Sequence, residues 1–309
     1  MNDNFKISFL IVLFFSFGFC SAISNENKIL FKINNEIITT VDVVNEIKYL
    51  KIFNEKLNNI EQKKLYEISK NSIIREKLKK IELSKYFEKI EIEEKYMENI
   101  ISNFYKKRNF ENFQSFKKFV LENNLSIAYI EKKITIESIW NQLIFEKYMN
   151  DIKINRDEIK KNIIKNNIQN EYLISEIVFN LKTGETLNEK FQIIKSDIDK
   201  ESFETAALLH SVSQTANQSG KVGWIKENSL NAKIKLSLSK IEKGFYTDPI
   251  VVPGGFIILK INDKKIANVV DNIEDEIEFI VKTKTQEQLN QFSNMYLNKI
   301  QKNTVINAL

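Results

Sequence analysis

Glu171-Tyr-Leu-Ile-Ser-Glu-Ile-Val-Phe179 and, further on, Gly220-Lys-Val-Gly-Trp224 decide how the region from Glu171 to Asp263 folds. The first stretch is rich in β-branched and aromatic residues, and its alternation from Leu173 to Phe179 predicts a strand with one buried face. In the second, two glycines flank a short extended piece ending at Trp224; glycine there permits a positive φ or a close approach of two backbones. Between them the period changes. After Gly184, Leu187, Phe191 and Ile194 recur at helical spacing and predict a helix over 185–199. Ser202 is a polar cap ahead of a short helix carrying Ala206, Leu208 and Leu209, and Ser211 to Ser219 forms a polar loop. Beyond Trp224 the pattern predicts a helix over 230–241 that closes at Gly244. Asp248-Pro-Ile-Val-Val252, Pro253-Gly254-Gly255 and Phe256-Ile-Ile-Leu-Lys-Ile261 then read as strand, tight turn and strand.

This order (β, α, α, short β, α, β, β) and these residues resemble the parvulin family of peptidyl-prolyl isomerases. The likeness rests on Ile174-Ser175 ahead of an apolar strand, Phe203 with Ala206 and Ala207, and Ser211 followed by Gly220-x-x-Gly223-Trp224. It continues through Gly244 before Asp248-Pro249-Ile250 and Gly255-Phe256 leading into Ile258-Leu259-Lys260. It implies an FKBP-like four-stranded antiparallel sheet covered by helices. It also implies departures at the catalytic positions. Where active members carry a histidine on the first strand this chain has Glu176, where the loop supplies Cys or Asp it has Ser213, and where the last strand supplies a second histidine it has Ile257. Leu230 and Ile234 fill positions of the apolar proline pocket, so the resemblance marks Leu230, Ile234, Ile257 and Trp224 as peptide contacts. Isomerisation must lower a barrier of about 18–20 kcal/mol set by amide resonance, and a dry pocket with polar neighbours supplies much of that help. Glu176 and Ser213 are therefore the catalytic candidates of a domain expected to be weak or inactive. Burial of Glu176 beside an apolar pocket would raise its pKa.

Met1 to Ala22 reads as a signal peptide. Lys6 precedes the apolar run Ile7 to Phe19, and Cys20-Ser21-Ala22 offers small residues for cleavage. The run is shorter than the roughly 20 residues of a membrane span. Cys20 also admits a lipidated N-terminus, although Phe19 is large for the position before such a cysteine. With one cysteine and one histidine in the chain, neither disulfide chemistry nor a dedicated zinc site is expected, and no glycine-rich phosphate loop occurs. No cofactor is implied. Seven glycines and two prolines in 309 residues indicate a largely helical protein. The net charge of +5 is spread over helices where lysines and acids alternate, the pattern of solvated faces and not of a nucleic-acid stripe.

Ile29-Leu-Phe-Lys-Ile33, Asn34-Asn-Glu36 and Ile37-Ile38 read as a hairpin, and Thr39 or Thr40 caps a helix through Val43, Ile47, Leu50 and Phe53. Helical periodicity follows over 60–87, 92–107, 110–123 and 126–149. The opening and the span Leu121 to Asn150 resemble the SurA-like periplasmic chaperones, with Ile154-Asn-Arg-Asp-Glu-Ile159 as a linking helix. Most aromatic side chains here recur at helical spacing and belong to packing. Tyr105, Phe110 and Phe119, off the main stripe, are candidates for a groove that holds extended chains. After Asp263, Lys264-Lys265 reads as a basic linker. The stripes Ile273, Ile277, Ile280, Val281 and Leu289, Phe292, Tyr296, Ile300 then need a partner, which places the C-terminal helix back on the N-terminal ones. Thr304 to Leu309 is a candidate strand for the first hairpin.

The expected class is α+β: a signal peptide (1–22), a helical peptide-binding domain (23–170), a parvulin-like domain (171–263) and a returning helix and strand (264–309). The resemblance implies a periplasmic holdase that binds unfolded outer-membrane β-barrel proteins and passes them, without ATP, to a β-barrel assembly machine. Alternatives are an active periplasmic isomerase using Glu176 and Ser213, or a lipid-anchored extracytoplasmic foldase. Neither a nucleic-acid partner nor stable membrane insertion after signal cleavage is expected.

Overall fold

A computed structural model describes residues 27–165, 169–267 and 272–309, and the segment 1–22, expected from sequence to be a signal peptide, lies outside them. The chain opens with the hairpin β1 (Ile29–Ile33) and β2 (Glu36–Thr39). Thr39 ends the second strand and starts the helical part. Its hydroxyl accepts from the Asp42 N–H at 3.3 Å while the Asp42 carboxylate accepts from the Thr39 N–H at 2.8 Å, so each satisfies a donor the helix start leaves free. Helices α1 (Thr40–Phe53), α2 (Gln62–Leu83), α3 (Glu94–Lys106), α4 (Phe113–Glu122), α5 (Ile127–Tyr148) and α6 (Arg156–Lys165) follow. Asn112 and Ser126 cap α4 and α5 with one bond each, accepting from the Ser115 and Tyr129 N–H groups.

The second half builds a sheet from β3 (Gln169–Phe179), β4 (Lys221–Lys226), β5 (Ile250–Val252) and β6 (Gly255–Ala267), with helices α7 (Leu187–Lys200), α8 (Phe203–His210) and α9 (Ala232–Leu238). The strand order is β4-β3-β6-β5, antiparallel throughout. β3 is an inner strand, and this corrects the expectation of one buried face over 173–179. Ile177 and Phe179 pack with Ile194, Phe203 and Ala206 below the sheet, whereas Tyr172, Ile174 and Val178 pack with Ile234 and Leu238 above it. Helices on both sides bury both faces. The Lys264-Lys265 linker is also corrected, because β6 continues through it. Lys265 pairs with Glu171 at 3.0 Å and Lys264 lies over the Tyr172 ring, so the two lysines decorate strand and not loop.

Helix α10 (Ile273–Lys302) returns along the helical module. Ile277 and Ile280 pack with Ile159 and Ile163 of α6, and Leu297 joins Trp140 and Leu143 of α5. Trp140 is wholly buried, and its indole N–H donates to Ser293 Oγ at 2.8 Å. A last strand, β7 (Ile306–Ala308), pairs with β1 and completes a three-stranded sheet in the order β2-β1-β7. Leu208 of α8 inserts among Leu50, Leu57, Leu65 and Ile68, so the domain built on the larger sheet is seated in the core of the helical module.

Candidate functional site

Gly220 organises the site. Its φ of +73° is left-handed, its carbonyl accepts from the Glu176 N–H at 2.8 Å, and a Cβ there would lie 2.3 Å from the Glu176 carbonyl oxygen. Only glycine allows the loop to close this tightly on β3. The closure brings two hydroxyls to one carboxylate. Ser213 Oγ donates to Glu176 Oε1 at 2.6 Å and Thr215 Oγ1 donates to the same oxygen at 2.8 Å. Burial pushes the Glu176 carboxyl above its ordinary pKa, with the two hydrogen bonds pulling the other way. Among the described residues no cation pairs with it.

The structure brings Glu176 and Ser213 together, without a nitrogen base or thiol beside them. The chain's one histidine, His210, stands at the end of α8 against Asp197 Oδ2 at 2.8 Å. Leu230, Ile234 and Ile257 also meet in one apolar cluster, together with Val212 and Ile250. Here the outcome differs from an open pocket. Ile234 and Ile257 are only 4% and 8% exposed, packed into the sheet's core, and Leu230 alone sits at its edge. Trp224 is not part of that cluster. Its neighbour Ile225 packs there, and the period of two turns Trp224 to the other face, with Lys265 Nζ 4.4 Å from its ring. Tyr105, Phe110 and Phe119 gather around Phe116, with ring centroids 6.0 and 5.4 Å from Phe116 for Tyr105 and Phe110, and 5.1 Å between Phe110 and Phe119. They are half-buried packing residues. Tyr105 also lines a second hollow between α3 and α5.

Another opening lies between the helical module and the loop that carries Ser213. A cavity of about 720 Å³ is walled by Tyr49, Phe53, Arg75, Lys133 and Glu137 on one side and by Ser213, Gln214 and Asn217 on the other. Behind the wall sits Glu46, wholly buried. It accepts from Ser72 at 2.6 Å, Tyr129 at 2.7 Å and Lys133 at 2.6 Å, and Lys133 also meets Glu76 at 2.6 Å. Burial opposes the charge on Lys133; Glu46 and Glu76 more than offset it, and its pKa stands well above the usual lysine value. Arg75 and Arg108 are different. Burial depresses the pKa of both. Arg75 donates to Asn217 Oδ1 at 3.1 Å, and the Arg108 guanidinium lies 3.6 Å above the Phe104 ring centroid. Neither makes an ion pair with a carboxylate among the described residues, and Glu46 and Glu137 act on Arg75 only from a distance. Reading the chain for catalysis passed over these cations. The available signal was Glu46, an acid set between Val43 and Leu50 on the apolar stripe of α1.

An antiparallel four-stranded sheet with this loop, seated on a helical module closed by its own C-terminal helix, defines a two-module chain with one parvulin-like domain. Residues 177–263 match the family model described as the PPIC-type PPIase domain, or rotamase. Chaperone SurA of Pseudomonas putida is 24% identical over 172 residues, 51% of this chain and 40% of that protein. The foldase protein PrsA of Geobacillus kaustophilus is 26% identical over 162 residues, 52% of this chain and 55% of that protein. A solved structure of a SurA-like chaperone from Campylobacter jejuni, reported for the pair PEB4 and Cj1289, is 16% identical and covers 92% of this chain and 99% of its own, with a TM-score of 0.36. The chain thus carries a PPIC-type domain and is similar to SurA and PrsA over about half its length. It spans about two fifths of the length of the SurA relatives it matches. No helix among the described residues is long and apolar enough to cross a membrane.

Proposed function

We propose that the protein is a periplasmic holdase that binds unfolded outer-membrane β-barrel proteins and keeps them soluble until a β-barrel assembly machine accepts them. One observation carries this: the cavity between the two modules has the size and mixed lining of a peptide site, while the neighbouring catalytic positions hold only a carboxylate and hydroxyls. Likeness to SurA and PrsA supports a chaperone or foldase role. A holdase must also release its client, which suits contacts spread along a wide cleft. In the test, the chain from Ile23 onward is mixed with an unfolded β-barrel protein, aggregation is followed by light scattering, and isomerisation of an X-Pro peptide is measured in the same sample. Protection near equimolar ratio without isomerase turnover is expected, and loss of protection would end the proposal.

The bonded trio Glu176, Ser213 and Thr215 favours a second function, slow prolyl isomerisation. A carboxyl pushed up by burial and linked to two hydroxyls is a polar neighbour for a twisting amide. If so, Ser213→Ala lowers a measurable wild-type rate while the melting curve is kept.

A further inference from the structure

Six cationic side chains line the cavity between the modules (Arg75, Lys79, Lys107, Arg108, Lys133 and Lys221) against two carboxylates, Glu76 and Glu137. The acids are already engaged. Lys79 meets Glu137 at 2.6 Å, and Lys133 meets Glu76 and Glu46, each at 2.6 Å. This leaves Arg75, Lys107, Arg108 and Lys221 without an ion pair to a carboxylate among the described residues, Glu46 and Glu137 acting on Arg75 only from a distance, and they come from both modules: α2, the end of α3, and β4.

For two of the four, that condition is costly. Arg75 and Arg108 are partly drawn out of water, and the depressed pKa of each has desolvation as its leading cause. A guanidinium in such a place gains most from a carboxylate, which it grips through two parallel hydrogen bonds. Arg108 is also held in place: it stacks on Phe104 and Phe53 and donates to the Phe104 carbonyl at 3.0 Å, which leaves other N–H groups of its fork for a ligand. Size and lining argue for a peptide over a small ion. The cavity measures about 720 Å³, the ring of Tyr49 lines it, and so do the amides of Asn141 and Gln214, groups suited to apolar side chains and to peptide backbone.

We infer that this cavity takes carboxylate-bearing segments of unfolded chains, in which Asp or Glu alternates with apolar residues, and that Arg75 and Arg108 anchor the acids. The inference rests on the peptide-binding role proposed above and adds a selectivity to it. Ser213 opens into the same cavity, so a bound segment passes the loop of the parvulin domain. Lys107 and Lys221, both exposed, draw such segments in from solvent.

The test uses the full chain from Ile23 and two fluorescein-labelled peptides of equal length. One alternates Phe or Leu with Asp and Glu, and in the other Asn and Gln replace the acids. Anisotropy titrations at low salt should show the acidic peptide binding at least tenfold more tightly. Arg108→Gln and Lys107→Gln should each weaken that preference, Arg108→Lys should keep part of it, and Arg156→Gln, outside the cavity on α6, should leave it intact. Lys107 is exposed, so its replacement tests the point even if an arginine variant folds poorly. Equal affinity for the two peptides overturns the inference, as does an equal loss in Arg156→Gln, which would mean diffuse charge attraction. If neither peptide binds while the chain still protects an unfolded β-barrel protein, the selectivity is wrong and the holdase role stands. If protection is lost as well, both fall.

Discussion

Glu46 in the helical module and Glu176 in the parvulin domain are both carboxylates removed from bulk water, and each is held by two hydroxyl donors. Ser72 and Tyr129 serve Glu46; Ser213 and Thr215 serve Glu176. They differ in counter-charge. Lys133 bridges Glu46 and Glu76, whereas no cation reaches Glu176 among the described residues. The first carboxylate is therefore a tie between α1, α2 and α5. The second is a group whose charge the fold resists, set on β3 and bonded to the loop that faces the cavity. Compensated burial builds a module, and uncompensated burial leaves a site that responds to its surroundings.

Removing the counter-charge is the most severe way to break this contrast. Lys133→Met leaves Glu46 buried without its cation and should cost about 3–5 kcal/mol of stability, measured by urea unfolding. A loss below about 1 kcal/mol would show that the hydroxyls alone sustain Glu46. Next comes Gly220→Ala, which forces a side chain onto the Glu176 carbonyl at a left-handed φ of +73°. About 2–3 kcal/mol should be lost, accompanied by faster hydrogen exchange at the Glu176 amide.

The smallest effect sharpens the comparison through pH. The folded state raises the Glu176 pKa, so its contribution to stability is fully present below the ordinary carboxyl pKa and is lost as pH rises through the raised folded value. Glu176→Gln removes that loss and keeps an oxygen to accept from Ser213 and Thr215. The melting temperature of the variant should match the wild type near pH 4 and exceed it by neutral pH. A melting temperature that falls below the wild type on going to neutral pH would mean that the ionised carboxylate is favoured. Glu287 on α10 gives a companion readout. Burial raises its pKa, and the Glu176 charge adds to this, so Glu176→Gln should lower it.

Local features were legible wherever they rest on neighbours in the chain. Thr39, Ser126 and Ser202 cap the helices they precede, and Gly220 takes the close backbone approach its type allows. The pairing of Glu176 with Ser213 was legible too, but only through the family likeness, since 37 positions separate them. The state of the proline pocket was not. Leu230, Ile234 and Ile257 have the right chemistry for a pocket and equally for a core, and how closely α9 sits on the sheet decides between the two.

The sequence by itself determined the α+β class, the order of elements in the sheet domain, the starts of α1, α5 and α8 and the absence of imidazole and thiol from the positions that the family likeness marks as catalytic. These depend on residue type and on periods of two and 3.6, which act within a few residues. Only the tertiary structure decided that β3 is covered on both faces, that Lys264 and Lys265 extend a strand, and that Arg75 of α2 and Lys221 of β4 share one cavity. The reason is physical. Burial and counter-charge are properties of what folds against a residue, and for Arg75 and Glu176 those neighbours lie far away in sequence.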